Sequence, residues 1–387
     1  MRVYDWVRVL LEKSILFGLI LVSTVVALLL GELILRHVVD PGDLLFATLV
    51  DDPVLGHRIK PHTTGHDALG FRNAVTPQRV NIVAIGDSQT YGVNAPRNGS
   101  WPHQIGVLLR EPVYNMALGA YGPLEYLYLA KQEAMKLQPQ QLLVGFYFGN
   151  DLLDACNVAH QRPFWYSWRE LDSPKVCDPK NPRSSHADPK KRFTAVREWL
   201  SGHSVLYSLS RITLLRPLAT LESEHMASQV PPDRQLVWID PSNQSVKTIF
   251  TPQFRLSLLD PQLSGVQEGL RITKRAFGTL KSDADAEGIK LLVILIPTKE
   301  RAYCSYLKAS GEPLPNAFVS LCDAEERIKE DLVQFFAERK IDYVDVTRAM
   351  ETNIQEHVQI YPTNSDGHPQ AAGYGVIARA VYDKMRR

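Results

Sequence analysis

Five short apolar runs recur through the chain and alternate with stretches of helical period. They are Val80–Ile85, Val113–Ala117, Leu142–Phe148, Leu291–Ile296 and Tyr343–Val346. Strands that are apolar on both sides are those covered by helices on both faces, as in parallel sheets. Between them lie segments of 3.6-residue period. The first runs from Ser100 to about Arg110, with Ser100 as N-cap and Pro102 in the first turn. The others are Leu124–Leu137, Thr273–Glu287 (closed by Gly288), Asp323–Arg339 and Ala371–Met385. This alternation predicts an α/β fold, a parallel sheet between two helical layers.

In an open parallel sheet, ligands bind beyond the carboxyl ends of the strands, and several of these runs end in residues able to do chemistry. The first ends in Gly86-Asp87-Ser88, within VNIVAIGDSQTYG. Ser88 there admits two readings, a helix cap or an exposed nucleophilic hydroxyl. The second ends in NMALGAYG, Asn115 to Gly122, where small residues let backbone N–H groups approach a ligand. The third ends in Gly149-Asn150-Asp151, placing a side-chain amide at the same edge. Beyond the fifth comes NSDGHPQAAGYG, with Asp366 and His368 just before the last helix. Singly, Asn150, Asp366 and His368 read as turn or cap residues. Arriving together at one edge of one sheet, they supply a nucleophile, a base, an orienting carboxylate and oxyanion donors.

GDSQTYG, the Asn115–Gly122 turn, GND and the final DGH together resemble the SGNH/GDSL hydrolase family. The similarity covers roughly residues 80–149 and 288–385 and leaves the segment between them outside. It implies a flavodoxin-like three-layer α/β/α sandwich. It also implies Ser88 as nucleophile, His368 as general base and Asp366 as the residue that orients it. The oxyanion hole would be the Ser88 N–H, a second-block N–H from Gly119 or Ala120, and the Asn150 side chain. The chain departs from the family pattern at Gln89, at the second-block glycine and at the spacing of Asp366 two residues before His368. That spacing occurs in relatives that act in polysaccharide O-acetylation. The stretch is not the Gly-x-Ser-x-Gly elbow of α/β-hydrolases, since Thr90 replaces the second Gly.

The alternation breaks between Leu152 and about Pro261, too long a stretch for a connector. It carries PFWYSW (Pro163–Trp168) and a helical pattern from Arg192 to Leu221. Standing after the third strand, it is expected to cover the site as a lid or substrate-binding subdomain. Its aromatic cluster would pack the insertion or stack on sugar rings.

Ile15–Leu35 reads ILFGLILVSTVVALLLGELIL, with Glu32 its one charge. A spanning helix needs about 20 apolar residues. Arg2, Arg8 and Lys13 precede it, and Asp40 and Asp43 follow Arg36. The positive-inside rule then puts residues 1–14 in the cytoplasm, a signal-anchor at 15–36, and the rest outside. Residues 37–79 form a lead-in of turns and short strands, and 80–387 the SGNH-like domain with its 152–261 insertion. In the lead-in, Asp67–Ala74 reads as a hairpin edge, and Arg72 as one half of an ion pair or a contact for a substrate carboxylate.

The cysteines Cys156, Cys177, Cys304 and Cys322 all follow the anchor, and their order suggests two local disulfides, 156–177 and 304–322. A net charge of +1 gives no basic field for nucleic acid. No phosphate-cradling or dinucleotide motif is present, and no cofactor or metal is expected. His57, His62 and His66 cluster in a loop of mixed polarity without metal-ligand spacing. The chain therefore reads as a single-pass, periplasmic or extracellular serine esterase or O-acyltransferase. Its substrate would be an acyl ester, expected to be acetyl, on a cell-envelope or exported polysaccharide, with envelope polysaccharide machinery as possible company. A non-catalytic carbohydrate-binding or assembly protein and a lipid-ester hydrolase are the alternatives.

Overall fold

The computed structural model describes residues 2–44, 48–170, 177, 194–210, 235–311 and 313–387. In chain order its strands are β1 (Leu49–Asp52), β2 (Gly56–Ile59), β3 (Ile82–Gly86), β4 (Val113–Asn115), β5 (Gln141–Tyr147), β6 (Leu236–Ile239), β7 (Lys247–Phe250), β8 (Lys290–Ile296) and β9 (Asp342–Asp345). Five of them form one wholly parallel sheet in the order β4-β3-β5-β8-β9. In sequence terms that is second, first, third, fourth, fifth, the flavodoxin-like order, with its switch point between β4 and β5 at β3.

Both faces of the sheet are buried, and the side chains divide with a period of two. Val83, Ile85, Leu142, Val144, Phe146, Leu291, Val293 and Leu295 point to one core. It is closed by the helices Pro123–Leu129, Ser264–Ala286 and Asn316–Arg339. Ile82, Ala84, Leu143, Tyr147, Leu292, Ile294 and Ile296 point to the other. There the helices Trp101–Leu109, Lys299–Ala309, Thr347–Gln355 and Ala371–Met385 cover them. The result is the three-layer α/β/α sandwich expected from the alternation of runs.

Several boundaries differ from the expectation. The segment 124–137 is not one helix: it is α-helical over Pro123–Leu129, π-helical over Ala130–Ala134 and 3-10 over Met135–Leu137. The helix expected from Thr273 starts at Ser264, and its added turns bury Val266 and pair Arg271 with Glu268 at 2.8 Å. The helix expected from Asp323 starts at Asn316, where Phe318 and Leu321 already face the core. Two further helices were not among those expected, Lys299–Ala309 and Thr347–Gln355.

Asp67–Ala74 is not a hairpin edge but a run of turns, because the Asp67 carboxylate takes local donors. It accepts from the N–H groups of Leu69 (2.9 Å) and Phe71 (3.1 Å) and from the Tyr114 hydroxyl (2.7 Å). Arg72 makes neither an ion pair nor an open contact. Its buried guanidinium donates to the carbonyls of Gly42, Tyr91, Gly92 and Ala95, pinning the lead-in to the turn after Ser88.

The N-terminal helix runs Arg2–Val38. An 18-residue window within Glu12–Val38 has mean hydropathy 2.5, and none of it is buried, so it is not a core helix; length and composition suit it to crossing a membrane. The cysteines pair as expected, Cys156 with Cys177 and Cys304 with Cys322, at Cα separations of 5.4 and 6.4 Å.

The insertion opens with the helix Asp151–Gln161 and a 3-10 segment, Pro163–Trp168, whose Trp165 is buried. The helical pattern read over Arg192–Leu221 is observed over Thr194–His203 and 205–210, with a break at Ser204; residues 192–193 and 211–221 lie outside the described residues. The described insertion ends in the antiparallel hairpin β6–β7 and the helix Pro252–Leu259.

Candidate active site

Ser88 is the first residue of a one-turn helix, Ser88–Tyr91, that follows β3 directly. Its N-cap is Asp87, whose carboxylate accepts from the Gln89 N–H at 2.8 Å. The turn ends at Gly92 in the left-handed region, φ 86°. It sits tightly on the sheet because Gly86 and Gly145, opposite each other on β3 and β5, leave room for Thr90. A Cβ on either would come within 2.3 Å of Thr90 Oγ1. Glycine is needed at both places, and the Ser88 backbone is fixed by that fit.

His368 lies between Ser88 and Asp366. Ser88 Oγ–H donates to His368 Nε2 at 2.7 Å, and His368 Nδ1–H donates to Asp366 Oδ1 at 2.6 Å. The His368 backbone N–H adds a bond to the same carboxylate oxygen at 2.9 Å. Burial works against the Asp366 charge, but the bonds and charge of His368 outweigh it and hold the carboxyl well below its usual range. An ionised Asp366 accepts at Nδ1, so the free lone pair of the imidazole is at Nε2, facing Ser88. The spacing of two residues therefore reaches the geometry that a longer spacing would.

Around Ser88 Oγ the oxyanion candidates are unequally placed. The Ser88 N–H is the first of its helix and has no intrahelical acceptor. Gly119 lies against Ser88: a Cβ there would be 3.6 Å from Ser88 Cβ. Its carbonyl is held by His57 Nε2 at 3.1 Å, and Ala120 beyond it is in the left-handed region, φ 65°. The Asn150 amide donates one of its two N–H groups to Asp154 Oδ2 at 2.6 Å.

The three lead-in histidines do not gather. His57 holds the Gly119 turn, and His66 bonds Tyr91 Oη at 2.8 Å, with burial pushing its pKa down to about 4. His62 contributes through its backbone, in the left-handed region. Among the described residues the one His/Cys/acid group of ligand geometry is Cys156, His160 and Cys177, and its two sulfurs are joined to each other.

Several residues around the site make contacts that the sequence did not announce. Asp87 is fully buried under Ser88, 3.3 Å from its Oγ, and burial raises its pKa to about 6. Gln89 Nε2 and Asn94 Nδ2 donate to the carbonyls of Gly367 and His368, both at 3.3 Å. Lys299, one residue past Pro297-Thr298 at the end of β8, is wholly buried. Its Nζ bonds the carbonyls of Asn364 (2.9 Å), Asp366 (3.0 Å) and Ile249 (2.7 Å), and Thr248 Oγ1 (3.1 Å). Burial lowers its pKa to about 8, with Glu300 opposing. Arg255, on the helix Pro252–Leu259, presses on the same loop: a Cβ on Gly367 would meet Arg255 Nη2 at 2.7 Å.

These contacts show what the described end of the insertion does. Thr248 Oγ1 donates to the Pro362 carbonyl, the Ile249 N–H to that of Asn364, and the Lys247 N–H to Gln359 Oε1. His357 bonds the buried Asp240 at 2.6 Å. The hairpin β6–β7 is thus laid along residues 357–366 and braces the loop that carries Asp366 and His368. This part of the insertion is a buttress, because the backbone of the loop needs partners and β7 supplies them; the expectation of a lid or substrate-binding subdomain falls largely on residues outside those described.

No protein-family model and no curated protein matches the chain. Solved structures do resemble it. An acetylxylan esterase from Geobacillus stearothermophilus, a catalytic mutant, overlaps with a TM-score of 0.39 at 9% identity, covering 80% of this chain and 95% of its own. A phospholipase A1 from Streptomyces albidoflavus NA297 gives 0.39 at 13%, covering 79% and 99%. A G-D-S-L family protein from Desulfitobacterium hafniense DCB-2 gives 0.37 at 11%, covering 78% and 98%. At identities and overlaps this low, the functional reading stands on the side chains.

Proposed function

We propose that the chain is a serine esterase or O-acyltransferase of the SGNH type, held to a membrane by its N-terminal helix and working outside the cytoplasm. The observation that carries the reading is the Ser88–His368–Asp366 line, with 2.7 Å and 2.6 Å contacts on either side of one imidazole. In the first half-reaction Ser88 Oγ attacks the acyl carbonyl carbon while its proton passes to His368 Nε2. Asp366 holds the imidazolium that results. The Ser88 N–H, the N–H of Gly119 or Ala120 and the second Asn150 N–H stabilise the oxyanion. Collapse breaks the ester bond, His368 returns the proton to the leaving alkoxide, and the acyl group stays on Ser88. Water or a sugar hydroxyl then enters by the same steps in reverse, giving hydrolysis or transfer.

The acyl group is taken to be acetyl and the acceptor a cell-envelope or exported polysaccharide. The two-residue Asp366–His368 spacing and the run of charge around the anchor support this reading. Residues before the span carry Arg2, Arg8 and Lys13, and both disulfides follow it.

Turnover of p-nitrophenyl acetate tests the proposal. Wild type is expected to release nitrophenol, and Ser88→Ala to lose activity by about 10³-fold or more. Equal, slow turnover by both would overturn the nucleophile assignment.

A further inference from the structure

Glu32 is the one charge in the apolar stretch Ile15–Leu35, and a carboxylate there is costly unless it is partnered. Its partners come from the insertion. Glu32 accepts from Ser204 Oγ at 2.8 Å and from the N–H groups of Val205 (3.0 Å) and Leu206 (2.9 Å). One turn on, Arg36 bonds Glu32 and donates to the His203 carbonyl. Leu206 Cδ2 lies 4.0 Å from where a Cβ on Gly31 would stand. The insertion is therefore fastened to the outer end of the span, at the depth where the apolar stretch gives way to polar residues.

The helix Thr194–His203 leads straight into that fastening. Val196 and Trp199, one turn apart on one side of it, are 55% and 60% exposed, and the Trp199 ring stacks on His203 with centroids 5.0 Å apart. From His203 to Trp199 is one helical turn, about 6 Å. A large apolar ring with a polar N–H, held exposed beside the end of a membrane span, has the chemistry of an interfacial anchor. Residues 15–34 also expose large apolar side chains, and the bonds of Glu32 and Arg36 to residues 203–206 hold this helix to the end of that span, so lipid is the occupant that fits.

We infer that the helix Thr194–His203 seats in the phospholipid interface of the membrane that holds the anchor, with Trp199 and Val196 among the lipid. The chain would then grip the bilayer at two points, and the Glu32–Ser204 contact would fix the angle between them. The inference rests on the anchor part of the proposed function.

The test uses the full-length chain in phosphatidylcholine–phosphatidylglycerol nanodiscs, with and without brominated acyl chains. Subtracting the emission of Trp199→Phe from that of wild type isolates Trp199 from the other tryptophans. The expected result is that brominated lipid quenches most of this component and that aqueous iodide barely reaches it. Emission unaffected by bromine and open to iodide would overturn the seat. Alkaline carbonate washing of membranes separates the two ideas. A chain stripped by carbonate refutes the anchor, and the seat with it. A chain that resists carbonate while Trp199 ignores brominated lipid refutes the seat alone.

Discussion

Asp87 holds a buried carboxyl directly beneath the Ser88 hydroxyl, and its surroundings set how stability varies with pH. Burial raises its pKa from 3.8 to about 6 against the Gln89 N–H and the charge of His368, and the Asp154 carboxyl adds to the rise. Because the folded value is raised, this group favours folding when protonated. Its contribution is fully present below the unfolded value near 4 and is lost as pH climbs through 6. A rise of about two pKa units corresponds to roughly 3 kcal/mol between those limits. Asp87→Asn keeps an N-cap of equal quality and removes the titration. Relative to wild type, the variant is expected to gain about 3 kcal/mol in unfolding free energy between pH 4 and pH 7. An unchanged difference between the two pH values would refute the assignment.

At the scale of elements, the His368 loop is held from behind by β7, the helix Pro252–Leu259 and the helix Lys299–Ala309. Lys299 joins its own helix to β7 and to the loop, since its acceptors lie on β7 and on both sides of Ser365. Replacing it takes the donor from the Ile249 and Asp366 carbonyls, a loss of about 1–3 kcal/mol each. Lys299→Met is therefore expected to lower kcat by about 10²-fold, the effect of a small misplacement of reacting groups, with KM little changed. Lys299→Arg, which keeps donors at the site, is expected to recover part of that loss. A merely structural role would lower the thermal midpoint and leave the kcat of the folded fraction intact. Steady-state kinetics beside a melting curve decide between them.

Across the whole molecule, the two disulfides hold helices in place. Cys304–Cys322 joins the helix that carries Lys299 to the long helix Asn316–Arg339, and Cys156–Cys177 ties the helix that opens the insertion to a turn farther along it. Each closes a loop of about 20 residues, for which the chain-entropy model gives roughly 3 kcal/mol. Cys304→Ser/Cys322→Ser is expected to melt earlier than wild type, with a fall that reductant reproduces in wild type. A melting temperature indifferent to both would contradict the pairing.

The sheet was legible because strands buried on both faces leave continuous apolar runs, and each of the five runs became a strand. Ser88 was legible because it ends a strand, and Asp366 and His368 because they stand just before the last helix; the structure brings the three side chains together. What could not be read were contacts set by tertiary packing. Arg72 found four carbonyls instead of an acid, and the π-helical turn at Ala130–Ala134 leaves no local signature. Lys299 and Asp87 are charged residues in wholly buried places, which no periodicity announces. The hairpin β6–β7 was missed because its partner is a loop more than 100 residues away, so its strands show little apolar alternation of their own.

The proposed role of Ser88 as nucleophile can be tested directly. The chain would be incubated with a fluorophosphonate, digested, and its peptides weighed, alongside His368→Ala. A phosphonyl adduct on Ser88 in wild type, and little or none when the base is gone, is the expected outcome. An adduct on another serine, or none on a chain shown to be folded, would contradict the Ser88–His368–Asp366 assignment.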